Sequence, residues 1–140
     1  MTYRFSDRVE DVDRELVHRW LSEQAYWALG RTRERNDRAI DGSRVFAVLD
    51  QESGAQVAYA RVVTDGAEFA WLCDVFVDEA VRGRGVGELL VRGVVEALAP
   101  LQLKRMLLAT KDAHGLYAKL GFAPLEEPDR WMLLPHPGDT

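Results

Sequence analysis

A glycine-rich loop at residues 81–87, between a hydrophobic segment and an amphipathic one, is the strongest constraint that this sequence places on its fold. The preceding segment, residues 69–77, is rich in aromatic and β-branched residues and predicts a buried strand. Beyond the loop, Leu90 and Val94 lie on one apolar face of a predicted helix, which Pro100 ends. The order strand, loop and helix presents backbone N–H groups at the positive end of a helix dipole. It is typical of a pyrophosphate site.

The residues around this loop discriminate between the known kinds of glycine loop. A nucleoside triphosphate loop requires Lys and then Ser or Thr after its last glycine, whereas Gly87 is followed by Glu88 and Leu89. A dinucleotide fingerprint requires G-x-G-x-x-G in the first βαβ unit, whereas this loop lies in mid-chain and reads G-x-G-x-G. The remaining pattern, Arg82-x-x-Gly85-x-Gly87, resembles the coenzyme A pyrophosphate loop of the GNAT superfamily of N-acetyltransferases. A structural turn that binds nothing is the alternative.

A second motif, Leu-Tyr-x-Lys-Leu-Gly-Phe at residues 116–122, makes the resemblance more specific. Leu116 and Leu120 pair at helical spacing, and Gly121 can cap the helix in the left-handed conformation. The motif resembles the closing helix of GNAT domains, in which the tyrosine is commonly the general acid. This resemblance makes Tyr117 the candidate acid, and the alternative is a core tyrosine whose hydroxyl is already hydrogen-bonded.

Length and composition indicate one globular domain. The 140 residues are 47% hydrophobic, which is enough for a single core. A single cysteine excludes a disulfide framework and a cysteine-based zinc cluster, and three scattered histidines do not suggest a metal site. The net charge of −5 argues against nucleic acid as a partner. We expect a cytoplasmic protein without a membrane partner, because no segment could span a bilayer and the first residues lack the apolar stretch of a signal peptide.

The resemblance implies an α/β (α+β) fold, a single GNAT-like domain over residues 1–140 with a flexible tail at 135–140. Its central sheet is expected to be mixed and mostly antiparallel, with six to seven strands and about four flanking helices, splayed in the middle where acetyl-CoA binds. We predict strands at residues 3–5, 44–49, 56–63, 69–77, 105–109, around 122 and at 130–134, and helical segments at 9–21, through 26–27, at 89–98 and at 116–121.

The resemblance also implies a reaction: direct transfer of the acetyl group of acetyl-CoA, the co-substrate, to a primary amine of a small molecule in a ternary complex. The backbone N–H groups of Val75, Phe76 and Val77 would hold the pantetheine arm and the thioester oxygen. Tyr117, with an unperturbed pKa of about 10, would protonate the departing thiolate. The pyrophosphate would lie against Arg82, Gly83, Arg84, Gly85, Val86 and Gly87.

Asp74 is the only charged side chain in the strand at 69–77, and it is the candidate base that removes the proton of the amine. Several GNAT members, polyamine acetyltransferases among them, carry an acidic residue at the matching place. The alternative is an ion pair with a structural arginine such as Arg61. Cys73 could suggest a covalent acyl-enzyme route. Because neighbours on a strand point to opposite faces, however, Cys73 and Asp74 are not expected to share a pocket.

The acceptor is expected to contact the first two helical segments and the arginine-rich loop at 31–38. The candidate residues are Tyr26, Trp27 and Arg31, which would suit a substrate with an apolar or aromatic part and a carboxylate or phosphate. The alternative is that the arginines are merely solvated. Many relatives place Asn seven residues before the tyrosine, whereas this chain has Thr110, which weakens any contact inferred there.

Other functions stay open at this point. The same loop would serve a non-catalytic acyl-CoA-binding sensor or interaction module, and the acceptor amine could belong to a protein. Family members often form homodimers, but no self-complementary surface is evident in the sequence. The acceptor itself cannot be named from the fold family.

Overall fold

Five strands and four α-helices make up the regular structure of residues 2–135, the part of the chain that this computed structural model describes. The strands are β1 (Tyr3–Ser6), β2 (Arg44–Asp50), β3 (Gln56–Thr64), β4 (Phe69–Val77) and β5 (Arg105–Leu107). The helices are α1 (Arg14–Gln24), α2 (Arg33–Asp41), α3 (Val86–Leu98) and α4 (His114–Lys119). None of the helices in this part of the chain is long and apolar enough to cross a membrane.

The strands form one mixed sheet in the order β1-β2-β3-β4-β5. Neighbours are antiparallel from β1 to β4, and β5 is parallel to β4. A parallel neighbour requires a crossover connection, and α3 provides it. The chain order therefore brings the glycine loop, which precedes α3, to the end of β4.

Each face of the sheet carries its own hydrophobic cluster. Along β2, Phe46 and Val48 belong to the cluster that packs against α3, whereas Val45 and Ala47 belong to the cluster that packs against α1 and α2. This alternation is the normal consequence of a pleated strand. Because helices cover both faces, β2 is buried along nearly its whole length.

Gly93 lies at the point of closest contact between α3 and β1. A Cβ atom at this position would overlap the ring of Phe5, which is itself stacked on Phe46 with 5.8 Å between ring centroids. We expect Gly93→Ala to lower the free energy of unfolding by about 1–3 kcal/mol or more, because overpacking forces the ring out of its place. Urea unfolding followed by circular dichroism measures the change.

The matched control is Gly115→Ala in α4, where no atom lies within 4 Å of the added Cβ. Alanine is favoured over glycine in a helix by about 0.5–1 kcal/mol, so this variant is expected to be as stable as the wild type or slightly more so. Equal destabilisation by both substitutions would contradict the steric explanation.

The helical region at the N-terminal side differs from the prediction in two places. The segment predicted as one helix at 9–21 is a short 3-10 turn followed by α1, because the Asp13 side chain accepts a hydrogen bond from the Leu16 N–H at 3.1 Å and caps α1 there. The segment around Tyr26 and Trp27 is a series of turns rather than a helix. Most of the expected arginine-rich loop is instead α2, which Thr32 caps.

The sheet has five strands within residues 2–135, where six to seven were expected. The strands predicted at Phe122 and at 130–134 do not form, and Met132 and Leu133 are 96% and 88% exposed. An apolar segment becomes a strand only beside a free strand edge. Here β5 is only three residues long, and the chain turns through Pro128–Arg130 before the segment begins. Of the predicted tail at 135–140, residues 136–140 lie outside the described part.

Candidate active site

A cleft opens where β4 and β5 separate. The two strands pair from Phe69 and Arg105 to Trp71 and Leu107, and β4 then continues to Val77 without this partner. The cleft has a volume of about 630 Å³. Its walls come from the turn between α1 and α2, from the middle of β4, and from residues 108–113 together with α4. The splay that the family resemblance implies is present, and the volume of the cleft suits a small ligand.

A β-bulge interrupts β4 in the middle of this cleft. Two steps along β3, from Arg61 to Tyr59, are opposed by three steps along β4, from Cys73 to Phe76. The backbone of Asp74 is left-handed, with a φ of 53°. A non-glycine residue adopts this conformation at a cost, and such strain is common at functional sites. One extra residue in β4 therefore lies at the bulge.

The bulge reverses the alternation of side chains along β4. Leu72 and Phe76 are an even number of residues apart, yet Leu72 packs in the cluster against α3 and Phe76 packs in the other, with its ring 5.3 Å from that of Trp20. Cys73 and Asp74 consequently both line the cleft. The expectation that these two side chains would not share a pocket is wrong, because it assumed a regular strand.

The Asp74 carboxylate is held by three side chains. The Trp27 indole N–H donates to Oδ1 at 2.8 Å, and Arg61 Nε donates to Oδ2 at 2.6 Å. Arg31 donates to both oxygens, from Nη1 to Oδ2 at 2.7 Å and from Nη2 to Oδ1 at 3.3 Å. A carboxylate has about four acceptor positions, and four donors occupy them here.

The surroundings of the Asp74 carboxylate determine its pKa. Burial would raise the pKa of Asp74, but the hydrogen bonds and charges of Arg31 and Arg61 outweigh burial and hold the pKa below its ordinary value. The side chain of Asp74 is only 2% exposed. The ion pair with Arg61, one of the two roles predicted for Asp74, is present. The hypothesis of a base loses its geometric support, since no acceptor position is left for the proton of an amine.

The three predicted acceptor-site residues, Tyr26, Trp27 and Arg31, all line the cleft. The rings of Tyr26 and Trp27 meet edge to face at 5.0 Å, and the ammonium of Lys111, on the opposite wall, lies 5.4 Å from the Tyr26 ring centroid. The arginines at 33, 35 and 38 lie instead on the exposed side of α2. For those three, the alternative of solvated arginines fits the structure.

Tyr117 forms the wall of the cleft on the α4 side. The residue is 8% exposed, and its ring packs edge-on against Phe122 at 5.8 Å. Among residues 2–135, no group forms a hydrogen bond with its hydroxyl, so the expected partner of a core tyrosine is missing there. Burial, with smaller contributions from Tyr26 and Asp112, raises its pKa above the ordinary value. The hydroxyl therefore keeps its proton at neutral pH and is free to donate to a ligand.

Thr110, the departure from the family pattern, has a local role. Its hydroxyl accepts a hydrogen bond from the Ala113 N–H at 3.0 Å, in the turn that leads into α4. A side-chain oxygen that accepts from a backbone N–H three residues later stabilises such a turn. The threonine thus helps to set the start of the helix that carries Tyr117.

The glycine loop lies between the end of β4 and α3. Gly83 and Gly85 have φ values of 82° and 80°, which favour glycine, and a Cβ at either position would meet open space. In the described part of the chain, the N–H groups of residues 83–87 have no acceptor. Unpaired N–H groups at the start of a 13-residue helix form an anion site.

Both arginines of this loop form hydrogen bonds with other segments of the chain. Arg82 Nε donates to the Val77 carbonyl at 3.0 Å, and its guanidinium lies 5.3 Å from the Phe76 ring centroid. Arg84 Nη1 donates to the Tyr3 hydroxyl at 3.2 Å. Arg82 thereby ties the loop to the end of β4, whose edge toward β5 has no strand partner beyond Trp71 in the described residues.

Comparisons with known proteins agree on one family. The model of the acetyltransferase (GNAT) family matches residues 14–122 of this chain. Glucosamine 6-phosphate N-acetyltransferase 1 from Oryza sativa subsp. japonica is 31% identical over 110 residues, which cover 73% of this chain and 64% of that protein. The chain spans less than two thirds of the length of the curated relatives that it matches.

Solved structures of similar fold include further acetyltransferases of this family. A protein from Xanthomonas campestris pv. campestris assigned to the GNAT family is 42% identical, with a TM-score of 0.89 and coverage of 99% of this chain and 96% of the other. Rv2747 from Mycobacterium tuberculosis, solved in complex with CoA, is 19% identical, with a TM-score of 0.70 and coverage of 88% and 73%. At that lower identity the similarity concerns the fold alone.

Proposed function

Because the chain belongs to the GNAT family of acetyl-CoA-dependent acetyltransferases, we propose that it transfers the acetyl group of acetyl-CoA directly to a primary amine of a small molecule. The observation that carries this proposal is a cleft with the Tyr117 hydroxyl in its wall, together with the N–H groups of residues 83–87 in the loop that follows β4; within residues 2–135 neither has a hydrogen-bond partner. The rice relative is named for glucosamine 6-phosphate, an amino sugar phosphate, and this supports a small-molecule acceptor.

We assign the co-substrate to the β4 side of the cleft. The pyrophosphate of acetyl-CoA would accept hydrogen bonds from the N–H groups of residues 83–87 at the start of α3. The pantetheine arm would run along the free edge of β4, where the backbone of Val75, Phe76 and Val77 can pair with its amides and polarise the thioester oxygen. This arrangement directs the thioester sulfur toward Tyr117.

The reaction then needs an acid that protonates the thiolate and a route by which the amine loses its protons. The amine nitrogen attacks the thioester carbon, the carbon–sulfur bond breaks, and the departing thiolate takes the proton of the Tyr117 hydroxyl. An alkylamine has a pKa of about 10 and arrives mostly as ammonium, so it must lose protons before and after attack. With Asp74 fully engaged, these protons pass to water at the open mouth of the cleft, and solvent returns one to Tyr117. Asp74 acts as a positioning residue for Trp27 and Arg31.

The decisive experiment is calorimetric titration of the protein with acetyl-CoA and with CoA, repeated on Gly85→Glu. The carboxylate of the variant would lie in the open space of the loop, against the pyrophosphate. We expect wild-type binding and at least about tenfold weaker binding by the variant, because like charges at a helix N-terminus repel. Circular dichroism verifies the fold.

Gly54→Glu is the matched control. Gly54 has a φ of 78°, close to that of Gly85, and its Cβ would also meet open space, but it lies in the turn between β2 and β3. It carries the same strain and charge, so its affinity for acetyl-CoA should equal that of the wild type. A wild-type protein that binds neither ligand would refute the proposal. Binding without thiol release in the presence of any amine would favour the sensor alternative.

A direct transfer predicts that Cys73 is dispensable. Burial raises the pKa of the Cys73 thiol to about 11, so it is not a nucleophilic thiolate at neutral pH. We expect Cys73→Ala to retain nearly full kcat in a thiol-release assay. Loss of activity, together with a burst of acetylated wild-type protein by mass spectrometry, would instead support an acyl-enzyme.

Two expectations of the sequence analysis, the homodimer and the cytoplasmic location, stay predictions. A homodimer would be detected by light scattering of the purified protein, and the cytoplasmic location by fractionation of cells that express it. A protein amine as the acceptor is the remaining alternative, and it would require a peptide substrate in the same thiol-release assay.

A further inference from the structure

The floor of the cleft contains more positive than negative charge. Arg31 and Arg61 both bind the single carboxylate of Asp74, and their side chains are only 14% and 17% exposed. Two largely buried guanidinium groups against one carboxylate leave one positive charge without a partner among residues 2–135. An uncompensated buried charge is costly, and it favours a ligand that brings the opposite charge.

The two arginines also have hydrogen-bond donors to spare. A guanidinium has five N–H donors. Arg61 uses Nε on Asp74 and Nη1 on the Ser43 hydroxyl at 3.2 Å, which leaves Nη2 without an acceptor among residues 2–135. Arg31 uses both of its terminal nitrogens on Asp74 and Asn36, and its Nε has no acceptor in the same part of the chain.

The other charges around the cleft do not cancel this excess. Lys111 and Asp112 follow each other on the opposite wall, both exposed, so they contribute one charge of each sign. Within residues 2–135, the charged residues that line the cleft therefore sum to one positive charge, in a chain whose net charge is −5. The positive cleft is a local feature rather than a property of the whole surface.

We propose that the acceptor carries an anionic group, a carboxylate or a phosphate, which pairs with Arg61 and Arg31 at the floor of the cleft. This inference rests on the proposed function, because it assumes that the acceptor occupies this cleft. Trp27 and Trp71 provide aromatic walls for the body of the molecule, and its amine is directed toward Tyr117. The charge-assisted bonds of a guanidinium to an oxyanion give such a site both affinity and orientation.

The test compares a carboxylate with its neutral amide, and adds a phosphate as a second anion. The protein, with and without saturating CoA, is titrated with 3-phenylpropionate, with its neutral amide and with phenyl phosphate, and tryptophan fluorescence reports binding through Trp27 and Trp71. We expect at least one anion to bind about tenfold more tightly than the amide or better. The two anions then distinguish a carboxylate site from a phosphate site. Equal or weaker binding of both anions, or no binding of any of the three ligands, would overturn the inference.

Two variants localise the effect. Arg61→Gln should abolish the preference for the anion, and Lys111→Gln, an exposed change that does not disturb the Asp74 contacts, should reduce it. Arg35→Gln on the exposed side of α2 is the matched control and should keep the wild-type preference. An unchanged preference in both cleft variants would overturn the inference. Failure of CoA to bind would refute the proposed function separately, because the titrations without CoA still measure the charge preference.

Discussion

Replacement of Tyr117 by phenylalanine is expected to lower kcat by about 100- to 10,000-fold, the usual contribution of a general acid. The substitution removes only the hydroxyl, which has no hydrogen-bond partner in the described part of the chain. The ring can keep its edge-on contact with Phe122. We therefore expect unchanged thermal stability and nearly unchanged affinity for acetyl-CoA, with the loss confined to the chemical step.

Thiol release under saturating acetyl-CoA and amine measures this effect. Tyr26→Phe is the control, because Tyr26 also lines the cleft but is more than half exposed and is assigned no proton transfer. It should retain most of the wild-type kcat. A Tyr117→Phe enzyme with wild-type kcat would contradict the assignment of Tyr117 as the acid.

The assignment of Tyr117 as the acid also predicts how the rate depends on pH. The acid works in its protonated form, and burial raises the pKa of Tyr117 above the ordinary value of about 10. The wild-type rate should therefore persist to pH values above about 10 before it declines as the phenol ionises. The residual activity of Tyr117→Phe should show no such decline.

Asp74→Asn is expected to lower the free energy of unfolding by about 3–5 kcal/mol, because it removes one partner of a buried ion-pair network. The amide has nearly the same size as the carboxylate but cannot neutralise Arg31 and Arg61. Urea unfolding at pH 7 measures the loss. Activity should fall as well, since Trp27 and Arg31 lose the group that positions them.

The loss should depend on pH in a defined direction. The folded-state pKa of Asp74 is lowered, so its stabilising contribution is present above the unfolded value of about 3.9 and is lost as the pH falls through the folded value. The difference in free energy of unfolding between the wild type and Asp74→Asn should therefore be constant near neutral pH and become smaller below about pH 4.

Asp37→Asn provides the matched control for this prediction. Asp37 forms an i,i+4 pair with Arg33 and a second pair with Arg14, and each of these side chains is at least 32% exposed. Such surface pairs contribute about 0–1 kcal/mol. If both aspartate substitutions lowered the free energy of unfolding by the same amount, the Asp74 network would have no special role in stability.

Local sequence signals were sufficient for the parts of the site that depend on neighbouring residues. The glycine loop, the helix α3 and its end near Pro100 follow from backbone freedom and apolar spacing within about twenty residues, although α3 begins at Val86 rather than at the predicted residue 89. The helix with Tyr117 and the pairing of β2, β3 and β4 follow from equally local patterns. Local rules succeed there because the partner groups are close in the chain.

Long-range contacts decided the rest. Trp27 and Arg31 lie 43 or more positions from Asp74, and no local pattern identified them as donors to its carboxylate. Only Arg61, on the neighbouring strand, was predicted as a partner of Asp74. The bulge at Asp74 depends on the register between two strands, and it brings Cys73 and Asp74 into one cleft against the ordinary alternation. The strand predicted at 130–134 did not form, because an apolar pattern needs a free strand edge beside it. The family and the glycine loop can thus be recognised from residues close together in the chain, whereas which side chains remain free to react depends on pairing between distant segments.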